Sequence, residues 1–211
     1  MSVDETNAVY LGGMPSLVTF LPGLSVQERQ DLQDVLLDAQ LFAGAHLDFE
    51  KQWSSWMHYY RSRLRYRGVH PQSLVMDDSL LVSSVEDLRR ATFAIRGVGD
   101  HQLLGGLVRR SFEAAGIYQA AGAYFQSGSG RSRLGSFQIV PCAQMGNGQV
   151  LMLLCGLQLV ADAYSAGGRR LLFFFKGGSY TFDSQTYAAH REDVIRYLGG
   201  KSKSMIRAIH I

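Results

Sequence analysis

The chain has 211 residues, 46% of them hydrophobic and 18% charged, which supplies a packed core and excludes disorder throughout. A formal charge of +3 is weak for a dedicated nucleic-acid binder, and no run of about 18 apolar residues is present that would span a membrane. The acidic start Met1-Ser2-Val3-Asp4-Glu5 lacks a basic-then-apolar signal, and two cysteines are too few for a disulfide framework, so a soluble cytoplasmic protein with reduced thiols is expected.

The alternating run Ser16-Leu17-Val18-Thr19-Phe20-Leu21, bracketed by Gly12-Gly13, Pro15 and Pro22-Gly23, predicts a short strand that docks on something later in the chain. Ser25-Val26-Gln27-Glu28 has the spacing of a capping box, so a helix starts there and carries Leu32, Val35, Leu36, Ala39 and Phe42 or Ala43 on one face, with Gly44 as its stop. A second helix is predicted from about Asp48 to Arg65, because Phe49, Trp53, Trp56, Met57, Tyr60 and Leu64 recur at three- and four-residue steps. Both tryptophans lie on it, as anchors of a core or of an interface. Ser73 to Met76 and Leu80 to Val82, split by Asp77-Asp78-Ser79, predict a small strand-turn-strand. Helices are predicted from Ser84, where Thr92 to Ile95 also has strand character but helix is favoured, and from Asp100, the latter running to Ala115 and past Gly116 toward Tyr124.

A basic linker, Ser127-Gly128-Ser129-Gly130-Arg131-Ser132-Arg133, divides this part from a strand-rich remainder. Phe137–Ala143 and Val150–Asp162 flank Asn147-Gly148 as a hairpin, with Pro141 placing the first strand at a sheet edge. Leu171 to Phe175 and Tyr180 to Phe182 follow as two more strands reversed at Gly177-Gly178, and Asp183 or Ser184 caps a last helix that ends at Gly199-Gly200. The expected architecture is α+β: a helical N-terminal half over residues 1–126, a flexible basic loop over 127–136, and an antiparallel β-meander with a closing C-terminal helix over 137–211, all in one compact unit.

No assembled catalytic set is legible. His46, His58, His70, His101, His190 and His210 are scattered without metal-ligand spacing, so no metal and no cofactor are expected. Cys142 and Cys155 read as small buried hydrophobes. Gly97-Val98-Gly99-Asp100 lacks a third glycine and places a carboxylate where a phosphate would sit. An enzyme built on a cysteine or on that turn ranks last among the readings.

Two features suggest surfaces. The run Tyr59-Tyr60-Arg61-Ser62-Arg63-Leu64-Arg65-Tyr66-Arg67 carries four arginines, more than helix capping needs. Arg61, Arg63, Arg65, Arg67, Arg131 and Arg133, with Tyr59 and Tyr66 for stacking, are candidates for nucleic acid or another polyanion, with peripheral membrane contact a further option. The apolar tail after Gly199-Gly200-Lys201-Ser202-Lys203-Ser204 should dock, either in its own sheet or on a neighbour, and Trp53, Trp56, Met205, Ile206, Ile209 and Ile211 are the candidate interface residues. The favoured expectation is a non-catalytic structural subunit that forms a homo-oligomer through its aromatic helix, a sheet edge and its C-terminal strand. The alternative is a basic nucleic-acid-binding protein using Tyr59 to Arg67, and a coat protein would combine both.

Overall fold

The structure, a computed structural model, describes residues 7–72, 76–90, 108, 111–127, 133–161 and 169–210. Among these, eight strands form one mixed sheet: β1 (Asn7–Leu11), β2 (Ser16–Phe20), β3 (His70–Pro71), β4 (Met76–Val82), β5 (Arg133–Gln144), β6 (Val150–Ala161), β7 (Leu171–Phe182) and β8 (Ile206–His210). The strand order is β3-β7-β6-β5-β2-β1-β8, with β4 also pairing with β7. Every pairing is antiparallel except β2 with β5, which is parallel. This corrects the expected α+β division into a helical half and an antiparallel meander. The N-terminal half places four strands in the sheet, and the sheet is mixed because β2 returns beside β5 from far along the chain.

The helices are α1 (Val26–His46), α2 (Trp53–Tyr66), α3 (Val85–Arg90), α4 (Ile117–Ser127), α5 (Ser184–Leu198) and the single turn α6 (Ser202–Met205). Local chemistry sets several ends as the sequence predicts. Ser25 Oγ accepts from the Glu28 amide at 3.2 Å while the Ser25 amide donates to the Glu28 carboxylate at 2.7 Å, which closes the capping box. Asp183 Oδ1 accepts from the amides of Gln185 and Thr186, and Gly199 ends α5 in the left-handed conformation at φ 54°.

Other local expectations fail for tertiary reasons. Asp77-Asp78-Ser79 is not a turn, since β4 runs through it in register with Phe173 to Gly177. Gly177 and Gly178 do not reverse the chain; they pair with Cys155 and Leu154 inside one twelve-residue strand. Pro141 lies in an interior strand, where the β5–β6 ladder skips positions 140 and 141 and so requires no donor there. β5 begins at Arg133, inside the expected loop over 127–136. The Gly97 turn, the strand-or-helix question at Thr92 to Ile95, and the start of the helix at Asp100 lie outside the described residues.

Alternation along β6 divides the core in two. Val150, Met152 and Leu154 join the cluster of α1, α2 and α5, whereas Leu151, Leu153, Cys155, Leu157 and Leu159 join Leu88 of α3 and Ile117, Ala121 and Tyr124 of α4. The sheet therefore lies between two helical layers, an α1 face and an α4 face. Among the described residues, helical cover on the α1 face ends where α2 begins. Gly156 lies directly under Met57, and a Cβ there would come within 2.9 Å of the Met57 Cε. Beyond it, Val160 of β6, Leu172 and Phe174 of β7 and Leu81 of β4 belong to neither apolar cluster and stay partly or largely exposed.

Candidate interaction surfaces

The arginine-rich end of α2 meets an acidic row on α1. Asp31, Asp34 and Asp38 recur at three- and four-residue steps, so they share a helical face, and all three are buried. Arg63 donates to Asp38 through Nε at 2.7 Å and through a terminal nitrogen at 3.0 Å, and Arg67 approaches the same carboxylate at 3.4 and 3.5 Å. Arg191 of α5 forks onto Asp31 at 2.8 and 2.7 Å, and that carboxylate also accepts from Ser184 and Gln27. Asp34 accepts from Gln30 and from Ser202 of α6 at 3.0 Å each. Asp38 thus takes two guanidiniums of the α2 end and Asp31 one of α5, while Asp34 is held by the neutral donors Gln30 and Ser202. A buried carboxylate is held by such partners, because each guanidinium or hydrogen-bond donor offsets its desolvation.

The eight candidate polyanion residues divide accordingly. Arg67 is buried, and Arg63 is clamped between Asp38 and the rings of Phe42 at 4.7 Å, Tyr197 at 5.1 Å and Tyr66 at 5.6 Å. Arg61 donates to the Met57 carbonyl and bonds the Tyr180 hydroxyl. Arg65 is exposed on the same flank of α2. Neither Arg61 nor Arg65 has a carboxylate partner within 4 Å among the described residues. Tyr66 is 68% exposed and Tyr59 is 39% exposed, the latter grouped with Phe42 and His46. Arg133 opens β5, far along the chain from this run, and Arg131 lies outside the described residues.

Of the candidate interface residues, Trp53 and Trp56 are buried in the chain's own core, with Trp56 stacked on Tyr60 at 5.2 Å. Next to them a polar group ties four elements together. Gln40 Nε2 donates to Ser16 Oγ at 2.6 Å, and the Tyr60 hydroxyl donates to Gln138 Oε1 at 3.1 Å. The tail completes its own sheet. β8 pairs antiparallel with β1 from Leu11–Ile206 to Asn7–His210, and the Gly12 amide donates to the Met205 carbonyl at 2.7 Å. Met205 and Ile206 pack against the α1-side core, and Ile209 is partly buried. Ile211 lies outside the described residues.

Cys142 and Cys155 occupy opposite faces of the sheet, both fully buried. Burial pushes both thiols up, Cys155 to about 12 and Cys142 further, so neither is poised as a thiolate nucleophile. No group of three or more potential metal ligands occurs among the described residues. A cavity of about 370 Å³ lies where the first turns of α1 and α5 meet the β5–β6 turn, lined by Ser25, Glu28, Asn147, Gly148, Asp183, Ser184 and Gln185. Its helix amides are already taken by Glu28, Ser25 and Asp183, so the positive ends of both helices are neutralised within the chain. A second cavity, about 190 Å³, has a mainly apolar lining that includes Tyr10, Ile117, Phe137 and Leu159.

Two features escaped the sequence reading. The acidic row was visible in the helical spacing of Asp31, Asp34 and Asp38, and it was the counterpart the arginines lacked. The row of exposed Leu81 and partly buried Val160, Leu172 and Phe174 had no sequence signal, because Leu171 to Phe175 reads as a strand covered on both faces. No helix among the described residues is long and apolar enough to cross a membrane. No family model matches the chain, and no curated protein matches it in sequence. A solved structure titled "Structure of the Evf virulence factor" is similar over 94% of this chain and 84% of that one, at 11% identity and a TM-score of 0.40, a likeness too slight to assign a shared fold.

Proposed function

We propose that the protein is a non-catalytic assembly subunit that associates with copies of itself through its open sheet. The observation that carries this reading is the contrast between the spent chemistry of the interior and the unspent end of the sheet. Two of the four arginines of α2 are consumed by Asp38, and both cysteines are sealed, while an apolar sheet surface and two sheet edges, β4 and β8, are without further strand partners among the described residues. Open edges with apolar neighbours are where chains add to one another. The aromatic helix drops out as an assembly element, since its tryptophans are spent inside the chain.

A polyanion reading keeps Arg61 and Arg65, free of carboxylates among the described residues, beside the exposed ring of Tyr66. Light scattering at two salt concentrations, with and without single-stranded RNA, separates the two. An assembly subunit shows a multiple of 23.4 kDa that RNA does not change. A chain that stays at its monomer mass and gains mass only with RNA at low salt is a nucleic-acid binder, because counterion release makes that affinity fall as salt rises.

A further inference from the structure

The four arginines at the end of α2 divide by helix geometry. Residues two apart on a helix are about 200° apart around its axis, so Arg63 and Arg67 meet Asp38 of α1 while Arg61 and Arg65 point the other way, toward β7. Arg61 and Arg65, four residues apart, stand one above the other. Both approach one point. Arg61 Nε donates to the Met57 carbonyl at 3.2 Å, which fixes the guanidinium, and the same group reaches the hydroxyl of Tyr180, a β7 residue only 2% exposed. Burial raises the Tyr180 phenol and the charges of Arg61 and Arg65 act against that rise, so both guanidiniums lie near its oxygen. A phenol kept protonated by burial has a proton to donate.

Neither arginine has a carboxylate within 4 Å among the described residues, and the segment joining β3 to β4 is Ser73-Leu74-Val75, which carries no charge. On the same face of the sheet, Asp77 is in register with Lys176, and that pair stands four residues along β7 from Tyr180, about 13 Å away. The acid there is matched by its own lysine. Two like charges at this helical spacing repel when nothing lies between them, and an anion held by both removes the repulsion.

We propose that Arg61, Arg65 and the Tyr180 hydroxyl form a binding site for one terminal phosphate group; this rests on the polyanion reading above, narrows it from a strand to a single dianion, and does not depend on self-association. A phosphomonoester carries a charge of about −1.5 to −2 at neutral pH and three acceptor oxygens. Two guanidiniums and a hydroxyl match it in both charge and donors. A strand phosphate carries one negative charge and would leave one arginine unbalanced. A strand would also need the basic track to continue, whereas the other two arginines of this helix end are turned to Asp38.

The test titrates the full chain with phenyl phosphate, inorganic phosphate and vesicles containing phosphatidic acid, and compares Arg65→Gln with Arg196→Gln, an exposed arginine already paired with Asp193. Phosphorus NMR should show saturable binding of phenyl phosphate that Arg65→Gln weakens roughly tenfold or more, the worth of one hydrogen bond to a charged group, and that Arg196→Gln leaves unchanged. Should Arg65→Gln fail to fold by circular dichroism, phenyl sulfate gives a readout on the wild type: with a single negative charge, it should bind roughly tenfold more weakly. Vesicle binding alongside phenyl phosphate identifies a lipid headgroup as the source, and soluble phosphates binding alone identify a small molecule; both support the site. Equal binding by the wild type and Arg65→Gln means an adventitious ion only and overturns it, as does equal affinity for phenyl sulfate. Single-stranded RNA that binds through Arg65 while phenyl phosphate neither binds nor competes overturns the single-phosphate site and leaves the polyanion reading standing. Failure of both RNA and phenyl phosphate to bind overturns the two together.

Discussion

Arg63 and Asp38 form a two-pronged ion pair across the α1–α2 interface, 2.7 and 3.0 Å long, with the carboxylate fully buried and the guanidinium stacked on Phe42. One of the arginines expected to bind an external polyanion is thereby occupied within the chain. Asp38 serves Arg67 as well, so Asp38→Ala leaves two guanidiniums facing an empty site. The expected loss is about 3–5 kcal/mol, the cost of stranding a buried charge. Arg63→Met should cost less, because Arg67 remains to balance Asp38. Urea unfolding of the two variants measures the difference, and equal small losses would show that the pair is not buried as described.

Gly156 is the narrowest point between α2 and the sheet. A methyl there would meet the Met57 Cε at 2.9 Å and the backbone oxygen of Lys176 at 3.2 Å. Met57 can rotate away, whereas the carbonyl cannot. Gly156→Ala should therefore destabilise by about 1–3 kcal/mol, and a second change, Met57→Ala, should recover none of it because it opens a cavity of its own. Thermal unfolding checks this, and a Gly156→Ala protein as stable as wild type would contradict the packing.

These two pairs also mark how far the sequence could be read. Both helices, the capping box and the Asn147-Gly148 hairpin were legible because each rests on contacts a few residues apart. The parallel docking of β2 on β5 was not, since it joins Ser16 to Gln138 across more than half the chain and leaves only an alternating run that fits any sheet. Gly177-Gly178 misled for the same reason: a glycine pair marks a turn or a strand crossed closely by another element, and only the tertiary setting decides. At the arginine run the charges were visible while their destination was not, because Asp38 lies 25 residues before Arg63.

The thiols and phenols of the interior give a pH prediction. Burial raises Cys155 from its ordinary 9.0 to about 12, and raises Cys142, Tyr60 and Tyr187 above their ordinary values as well. A group whose folded pKa is raised is protonated in both states at low pH, so its stabilising difference is whole below the unfolded value. Above it, the unfolded chain releases protons that the fold retains, and stability falls until the folded pKa is reached. The urea midpoint should hold from pH 7 to 8 and decline steadily above about pH 9, the unfolded thiol range. A midpoint that is flat from pH 8 to 10.5 would show that these groups are not sealed.

The same burial predicts slow chemistry. A thiol reagent at neutral pH should modify Cys142 and Cys155 only as the fold opens, so that urea accelerates both reactions together. Each Cys→Ala change should cost about 1 kcal/mol from lost packing. Rapid native labelling of either residue would return a cysteine-based activity to consideration.

The claim on which the functional account depends is that this chain associates with itself. Sedimentation equilibrium of the full-length protein over a dilution series tests it without any substitution. The account predicts a mass that rises with concentration from 23.4 kDa toward twice that value. A mass of 23.4 kDa at every concentration would contradict it.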